Sequence, residues 1–323
     1  MNKRILCSIS TRGRYDTTLP LAIQSVIMQT MPVSKLIIFD DNDQPKDMRE
    51  VQTYQYLFSM MDLKGIPWEW VYAEKKGQHY NHDKANKMGY EWVWRMDDDT
   101  IAEPDTLEKL FSYVTDEVGA VGGSILTPPF TLDIEATGKI ENIDREANLQ
   151  WSYIKQVKSV DHLHCSFLYR AGICDYDLSL SRIAHREETL FTYGLKQRGY
   201  QILVVPAITW HLKNRVGGIR DGVREMFEHD ERIFQAALSY KDNTIVVLDC
   251  GMGDHIVFKH VLPLIKNPVV FSCYPDIIPG RSISEAYEAF GNLDKYNIYR
   301  KMDEWNWKDS IEKAFRKLYG VDQ

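Results

Sequence analysis

Three adjacent aspartates, Asp97, Asp98 and Asp99, form the stretch of this sequence whose chemistry is easiest to recognise. Like charges in a row repel one another, so a buried or half-buried site for them requires a cation. Side chains alternate along a strand, so a strand through the triplet would place Asp97 and Asp99 on one face and direct Asp98 away. Two carboxylates at the end of a strand suit Mg²⁺ or Mn²⁺. An acidic turn on a solvated surface is the alternative.

Two further acids, Asp40 and Asp41, follow the continuous apolar run at residues 36–39. Such a run is typical of a buried parallel strand, and open α/β sheets bind ligands at the carboxyl ends of their strands. A capping turn without a ligand explains these two residues equally well.

Glu187 and Glu188 lie in the first turn of a predicted helix at residues 186–198. Negative charge at a helix start complements the helix dipole, which is a sufficient structural reason for the pair. His211 follows a predicted strand at residues 200–206. A single histidine in such a place is more often a hydrogen-bonded structural residue than a ligand.

The elements that must position these residues alternate between strand and helix over the first hundred residues. Strands are predicted at residues 4–10, 35–40 and 68–72, and helices at residues 19–28 and 48–61. This order predicts a parallel nucleotide-binding sheet. A later predicted strand, at residues 118–126, contains glycines, which favours a close backbone approach there.

Composition excludes several classes of protein. With 323 residues, the chain is long enough for one large α/β domain and a smaller one. No apolar run reaches the roughly 18 residues of a membrane span, and the N-terminus shows no signal peptide, so a cytoplasmic protein is expected. Five scattered cysteines indicate free thiols. A net charge of −7 gives no overall basic field for nucleic acid or lipid.

The ordered pattern over residues 4–212 resembles the family 2 glycosyltransferases, which have the GT-A fold. The matching segments are SISTR at 8–12, LAIQSVIMQT at 21–30, LIIFDDN at 36–42, AN at 85–86, MDDD at 96–99, GG at 122–123, FLYR at 167–170 and EETL at 187–190. The resemblance implies a nucleotide-diphospho-sugar transferase fold, that is, an α/β fold with a mixed, mainly parallel sheet and helices on both faces.

The resemblance also implies roles for individual residues. The implied donor-binding residues are Ser10, Thr11, Arg12, Asp40, Asp41, Asn86, Asp97 and Asp98. Asp97 and Asp99 would hold a divalent ion, Mn²⁺ or Mg²⁺, and His211 would be an additional ligand that favours Mn²⁺. The general base of the family is usually the Asp of a Glu-Asp pair. Here Glu188 takes that position, and the choice between Glu187 and Glu188 stays open.

The expected activity is an inverting, metal-dependent transfer from a nucleotide sugar, UDP-linked by preference, to a hydroxyl acceptor. The expected acceptor is a surface glycan or its lipid-linked precursor, with a hydroxymethylated base of phage DNA as a further option. A non-catalytic module that binds a sugar nucleotide or glycan is an alternative from a different class.

Three regions are predicted along the chain: a GT-A catalytic domain at 1–219, a helical connector at 220–243 and a small Rossmann-like α/β module at 244–323. The GMGD turn at 251–254 is similar to the opening of heptosyltransferase-type domains. It is also similar to the Asp-x-Gly-x-Gly loop of S-adenosylmethionine-dependent methyltransferases, which is the second enzyme class to consider. A purely structural module is favoured, because about 80 residues are few for either complete domain.

Overall fold

The computed structural model describes residues 4–128, 150–213, 217–238, 245–248, 269–272 and 297–300. The chain divides into two compact units, Met1–Phe227 and Glu228–Gln323. In the part of the chain that is described, no helix has both the length and the apolar character needed to cross a membrane.

The first unit alternates strands and helices, as the sequence predicts for its amino-terminal part. Its strands are β1 (Ile5–Thr11), β2 (Lys35–Asp40), β3 (Trp68–Tyr72), β4 (Trp92–Asp97), β5 (Thr100–Ala102), β6 (Val118–Leu126), β7 (Lys158–Val160), β8 (Phe167–Arg170) and β9 (Gln201–His211). The α-helices are α1 (Leu19–Ile27), α2 (Gln52–Lys64), α3 (Gln78–Asn86), α4 (Thr106–Ser112) and α5 (Glu187–Gln197), and 3₁₀ turns span Met48–Glu50 and Gly218–Asp221. Helix α6 (Arg224–Leu238) begins in the first unit, and most of its residues belong to the second.

These nine strands form one mixed sheet in the order β3-β2-β1-β4-β8-β6-β9-β5, with β7 paired to β9. The pairs among β3, β2, β1 and β4 are parallel, and β6 is parallel to β9. Strand β8 is antiparallel to both of its neighbours, as β5 and β7 are to β9. The mixed α/β architecture agrees with the predicted GT-A fold.

Both faces of the sheet bury apolar side chains, and one of them also buries polar contacts with α3. On one face, Ile5, Cys7 and Ile9 of β1 pack with the apolar residues of α1 and α2. On the other face, the hydroxyl of Ser8 lies 3.2 Å from His82 Nδ1, and Asn81 Nδ2 donates to Ser10 Oγ at 2.8 Å. Helix α3 is therefore buried through polar contacts, which explains why its sequence lacks an apolar stripe.

The parallel register collects polar side chains at one edge of the sheet. Ser10 pairs with Asp97 between β1 and β4, and Thr11 pairs with Asp40 between β1 and β2. The carboxyl ends of these three strands therefore meet, which is where open α/β sheets bind ligands.

The arrangement expected for the aspartate triplet is wrong in one respect. Strand β4 ends at Asp97, and Asp98 and Asp99 form a turn before β5 begins. The alternation of a strand consequently does not extend through the triplet, and Asp98 does not point away from its neighbours. All three carboxylates line the same pocket.

The second unit contains the strands β10 (Ile245–Leu248), β11 (Val269–Ser272) and β12 (Asn297–Arg300), which form a parallel sheet in that order. Helix α6 lies within the predicted connector at 220–243. The GMGD turn at 251–254, on which the heptosyltransferase and methyltransferase similarities depend, is outside the described residues.

We expect Gly123→Ala to lower the free energy of unfolding by about 1–3 kcal/mol, because overpacking of a tight contact has costs of that order. A Cβ at this position would lie 2.6 Å from the carbonyl oxygen of Ala207, where the β6–β9 register shifts. Urea denaturation followed by circular dichroism measures the change.

Gly194→Ala is the matched control. Its Cβ would meet atoms of Arg198 and Cys174 at an ordinary 3.6 Å inside α5. Helix propensity then predicts unchanged stability or a gain of up to about 1 kcal/mol. Equal stability of Gly123→Ala and the wild type would show that the strand contact is less tight than described.

Candidate active site

A pocket of about 320 Å³ opens at the carboxyl ends of β1 and β4 in the first unit. Its walls include the loop after β1, the aspartate triplet, the segment before α5 and the end of β9. Eight of the residues predicted from sequence line it: Ser10, Arg12, Asp41, Asp97, Asp98, Asp99, Glu188 and His211.

Thr11, Asp40, Asn86 and Glu187, also predicted from sequence, do not line this pocket. The amide of Asn86 is engaged elsewhere: its Nδ2 donates to Cys174 O at 2.8 Å, and its Oδ1 accepts from Gly172 N at 2.8 Å. Asn86 therefore connects α3 to the loop after β8. Thr11 is buried at the end of β1. Neither residue reaches the pocket that the other donor-binding residues Ser10, Arg12 and Asp41 line.

The acids after β2 have different environments. Asp40 accepts from the hydroxyl of Tyr15, from both nitrogens of Asn42 and from Trp70 Nε1, so its carboxylate is saturated by the protein. Asp41 faces the pocket, and its Oδ2 accepts from Gly77 N at 3.1 Å. Of the two, Asp41 is the acid placed to meet a ligand.

Burial raises the pKa of Asp41, and hydrogen bonds from Asn81 and Gly77 and the charge of Arg12 oppose the shift. Gly77 has a φ of 105°, and a Cβ there would lie 2.4 Å from Arg182 O. Only glycine is compatible with this φ angle and with the close contact between residue 77 and the carbonyl of Arg182.

The aspartate turn is held by the loop after β1. Arg14 Nη1 donates to Asp98 Oδ1 and lies 3.2 Å from Asp99 Oδ2, and the backbone nitrogen of Arg12 donates to Asp98 Oδ2 at 3.2 Å. The guanidinium of Arg14 thus supplies positive charge to two of the three aspartates. Sequence reasoning missed this residue, although it lies within the polar turn that follows β1.

Asp99 and His211 are brought together by strand pairing. Thr100 of β5 pairs with His211 of β9, and His211 Nε2 lies 3.5 Å from Asp99 Oδ1. The ring of Trp151 packs edge-on against His211, with centroids 5.2 Å apart. The predicted association of this acid and this imidazole is therefore present in the pocket.

The spacing of Asp99 and His211 is compatible with two ligands of one divalent cation. Neighbouring ligands of an octahedral ion with bonds of about 2.1 Å lie about 3 Å apart, close to the Asp99–His211 separation of 3.5 Å. Carboxylate oxygen and imidazole nitrogen together suit Mn²⁺. Among the described residues, no three acid, imidazole or thiol groups surround a single point. A cation held here would take its remaining ligands from water or substrate.

Asp97, the other predicted metal ligand, faces a buried cation of the protein. Its Oδ1 lies 3.0 Å from Arg95 Nη2. The same guanidinium pairs with Glu187 Oε1, and Arg95 Nη1 donates to Cys165 O at 2.9 Å. Arg95 is fully buried in β4, and sequence reasoning missed it; the signal was a lone charged residue inside an apolar strand.

Negative charge exceeds positive charge around Arg95, because Asp97, Glu187 and Glu188 share its field. Burial raises the pKa of Asp97 to about 6; Arg95 opposes the shift and Glu188 adds to it. Burial also raises the pKa of Glu187 in spite of the attraction of Arg95. Such a cluster favours the arrival of a further cation or the retention of a proton.

The two glutamates at the start of α5 differ in access. The side chain of Glu187 is fully buried and accepts from Gln78 Nε2 at 3.1 Å as well as pairing with Arg95. Glu188 is 17% exposed, lines the pocket and lies 3.5 Å from His164 Nδ1. Burial acts to raise the pKa of Glu188, but the contact with His164 and the charge of Arg95 lower it overall. Glu188 is therefore the member of the pair that faces the pocket, and its surroundings favour the ionised form.

Backbone strain is concentrated at this pocket. In the described part of the chain, five non-glycine residues have a positive φ, and three of them line the pocket: Cys165, Ala184 and Arg186. A left-handed conformation in such residues costs about 1–3 kcal/mol and persists where surrounding contacts impose it. Tertiary contacts, and not the intrinsic conformational preferences of these residues, therefore determine the backbone conformation of the segments beside Glu188.

The model of the family described as "Glycosyl transferase family 2" matches residues 9–174. A comparison with curated proteins gave no match.

Solved structures show the same fold at low sequence identity. The chain is similar to S. aureus TarS 1-349 in complex with UDP-GlcNAc, with a TM-score of 0.54, 12% identity and coverage of 98% of this chain and 81% of that one. It is also similar to GalNAc-T7 with UDP, GalNAc and Mn²⁺, with a TM-score of 0.55, 12% identity and coverage of 97% and 58%. A further similar structure is that of S. aureus TarS, with a TM-score of 0.50 and 11% identity. The present chain spans about half, 49%, of the length of that protein.

We expect Arg95→Met to destabilise the fold by about 3–5 kcal/mol, because it leaves buried carboxylates without their cation. The double variant Arg95→Met/Glu187→Leu is expected to lose less, since it removes one of those carboxylates as well. Urea denaturation of both variants and of Glu187→Leu completes a double-mutant cycle. If the losses of stability in the two single variants add up to the loss in the double variant, Arg95 and Glu187 have no coupling free energy.

Proposed function

Since the chain belongs to glycosyl transferase family 2, we propose that it transfers the sugar of a UDP-sugar to a hydroxyl acceptor. The transfer proceeds with inversion at the anomeric carbon. One observation carries the proposal: a single pocket contains Asp41, the aspartate turn with His211, and the carboxylate of Glu188. The first of these groups would bind the nucleotide, the second would support the diphosphate, and the third would activate the alcohol.

The nucleotide end of the donor would lie against the loop after β1 and the end of β2. Asp41 is the acceptor for an N–H of the base, since Asp40 is already saturated. Ser10 and Arg12 line the same wall. A UDP-linked donor is supported by the nucleotides named for the TarS and GalNAc-T7 structures.

The diphosphate would lie near the aspartate turn, where Asp99 and His211, with Asp97 beside them, would hold Mn²⁺ or Mg²⁺. When bound, such a cation supplies positive charge to the phosphate oxygens of the leaving group. The excess of carboxylates around this part of the pocket supports the presence of an additional cation. The Mn²⁺ named for GalNAc-T7 is consistent with this choice.

Glu188 is the general base of the proposed reaction. It removes the proton from the acceptor hydroxyl while the oxygen attacks the anomeric carbon, and the bond from that carbon to the diphosphate breaks. Positioned proton transfer contributes about 10²–10⁴-fold to such rates. One base and one displacement give inversion. Glu187 is unsuited to this role because Arg95 and Gln78 occupy its Oε1 and its side chain is fully buried.

The proposed acceptor is a hydroxyl of a surface glycan or of its lipid-linked precursor. A hydroxymethylated DNA base is disfavoured, because the net charge of −7 provides no general attraction for a polyanion.

The activity test is a donor panel. Purified protein is incubated with UDP-, GDP-, dTDP- and CMP-sugars, with Mn²⁺ or with a chelator, and the released nucleotide is measured. We expect release from UDP-sugars in Mn²⁺ and a loss of about 100-fold or more in Asp99→Asn, which removes a charged ligand. Binding without release from any donor would favour the non-catalytic sugar-nucleotide module. Equal release in the chelator would overturn the metal assignment.

Glu188→Gln tests the base. We expect kcat for transfer to fall by about 10²–10⁴-fold with the KM for the donor nearly unchanged, because an amide does not accept the proton. Glu69→Gln is the matched control: this acid pairs with Lys35 at 2.5 Å, outside the pocket, and the variant is expected to keep the wild-type rate. Full activity in Glu188→Gln would rule out this residue as the base.

A further inference from the structure

His164 is a pocket residue with no role in the function proposed above. Its Nδ1 lies 3.5 Å from Glu188 Oε1, and its side chain is only 12% exposed. Its other ring nitrogen, Nε2, is buried without a hydrogen bond. The imidazole therefore meets the carboxylate with one nitrogen and keeps the other away from solvent.

The backbone around His164 is held in place from several directions. Gln150 clamps the residue with its side-chain amide: Oε1 accepts from His164 N at 2.7 Å, and Nε2 donates to His164 O at 3.2 Å. The absent side chain of Gly122 leaves room for that amide, because a Cβ there would lie 2.8 Å from Gln150 Nε2.

The neighbouring residues are fixed as well. Leu163 N donates to Thr192 Oγ1 at 2.9 Å, which ties the segment to the helix that carries Glu188. Cys165 has a φ of 53°, and its carbonyl accepts from Arg95. A strained residue held by a buried guanidinium fixes the direction from which the imidazole approaches the carboxylate.

A lone pair on Nδ1 would repel the carboxylate oxygen at this distance, whereas a proton on Nδ1 makes the contact attractive, so we assign the proton to Nδ1. Donation from Nδ1 to Oε1 stabilises the charged form of Glu188 and restricts its rotamers. The other ionisable groups around the pair are Glu187 on α5, Arg95 and Asp97 on β4, His82 on α3, and Asp161, His162, Cys165 and Arg186 on the adjoining segments.

We propose that His164 is a positioning residue for the general base, and that it keeps the Glu188 carboxylate ionised and directed towards the acceptor hydroxyl. This inference depends on the proposed function. It adds a hydrogen-bond donor on a separate segment, 24 positions before the base, that no sequence motif connects with catalysis. In this proposal His164 acts on Glu188 and not on the donor, so its loss lowers kcat and leaves the KM for the donor in place.

The kinetic test compares His164→Leu, which removes the donor, with His164→Asn, whose amide N–H replaces Nδ1–H. In His164→Leu we expect kcat at pH 7.5 to fall about 10–100-fold, as for loss of groups that orient a reactive ligand, with the KM for the donor within about twofold. Relative to the wild type, we expect a further loss of about tenfold at pH 5.5, because Glu188 becomes protonated there. His164→Asn is expected to restore most of both losses.

Equal pH profiles for His164→Leu and the wild type would overturn the proposal, as would equal losses in the leucine and asparagine variants. A wild type that transfers no sugar at any pH would instead refute the proposed function. In that case, a carboxylate NMR titration of ¹³C-glutamate-labelled protein still decides the role of His164. We expect the Glu188 signal, assigned with Glu188→Gln, to titrate at higher pH in His164→Leu than in the wild type; no difference would refute the contact.

Discussion

The buried guanidinium of Arg95 faces more negative charge than it can neutralise, and this imbalance is the constraint on which the rest of the pocket depends. Arg95 pairs with Glu187 and Asp97 and also acts on Glu188. Charges interact strongly when they are shielded from water, so each carboxylate must have a compensating partner nearby. The same side chain connects the strand that ends in the aspartate turn, the helix that carries Glu188 and the segment that carries His164. Structural integrity and pocket electrostatics are therefore properties of one network.

Parts of this arrangement follow from sequence. Apolar runs ending in acids predicted that Asp41 and Asp97 lie at the carboxyl ends of strands. Both strands are parallel to β1, which lies between them, so these ends meet at one edge of the sheet. The acid pair at 187–188 was recognised at a helix start, but the sequence did not distinguish its members. Burial and the partner of each carboxylate, Arg95 for one and His164 for the other, make that distinction.

Other parts have no local signal. Arg14 meets Asp98 across 84 positions, and Arg95 meets Glu187 across 92. Helix α3 is fixed through polar contacts, so hydrophobic periodicity did not reveal it, and Asn86 within it proved to bond backbone groups away from the pocket. The predicted direction of Asp98 is wrong because β4 ends at Asp97, so the alternation of side chains along a strand does not reach Asp98. Each of these features depends on tertiary packing, which the order of residue types does not encode locally.

The pairing of β5 with β9 makes assembly of the pocket depend on distant parts of the chain. All three aspartates are present once residue 99 has been synthesised, whereas the imidazole beside Asp99 comes from residue 211, through the pairing of Thr100 with His211. A nascent chain that lacks β9 therefore has the acids without their imidazole neighbour. A slip of β9 by one position would also turn His211 to the opposite side of the sheet. Completion of the pocket is thus coupled to correct, full-length folding of the first unit.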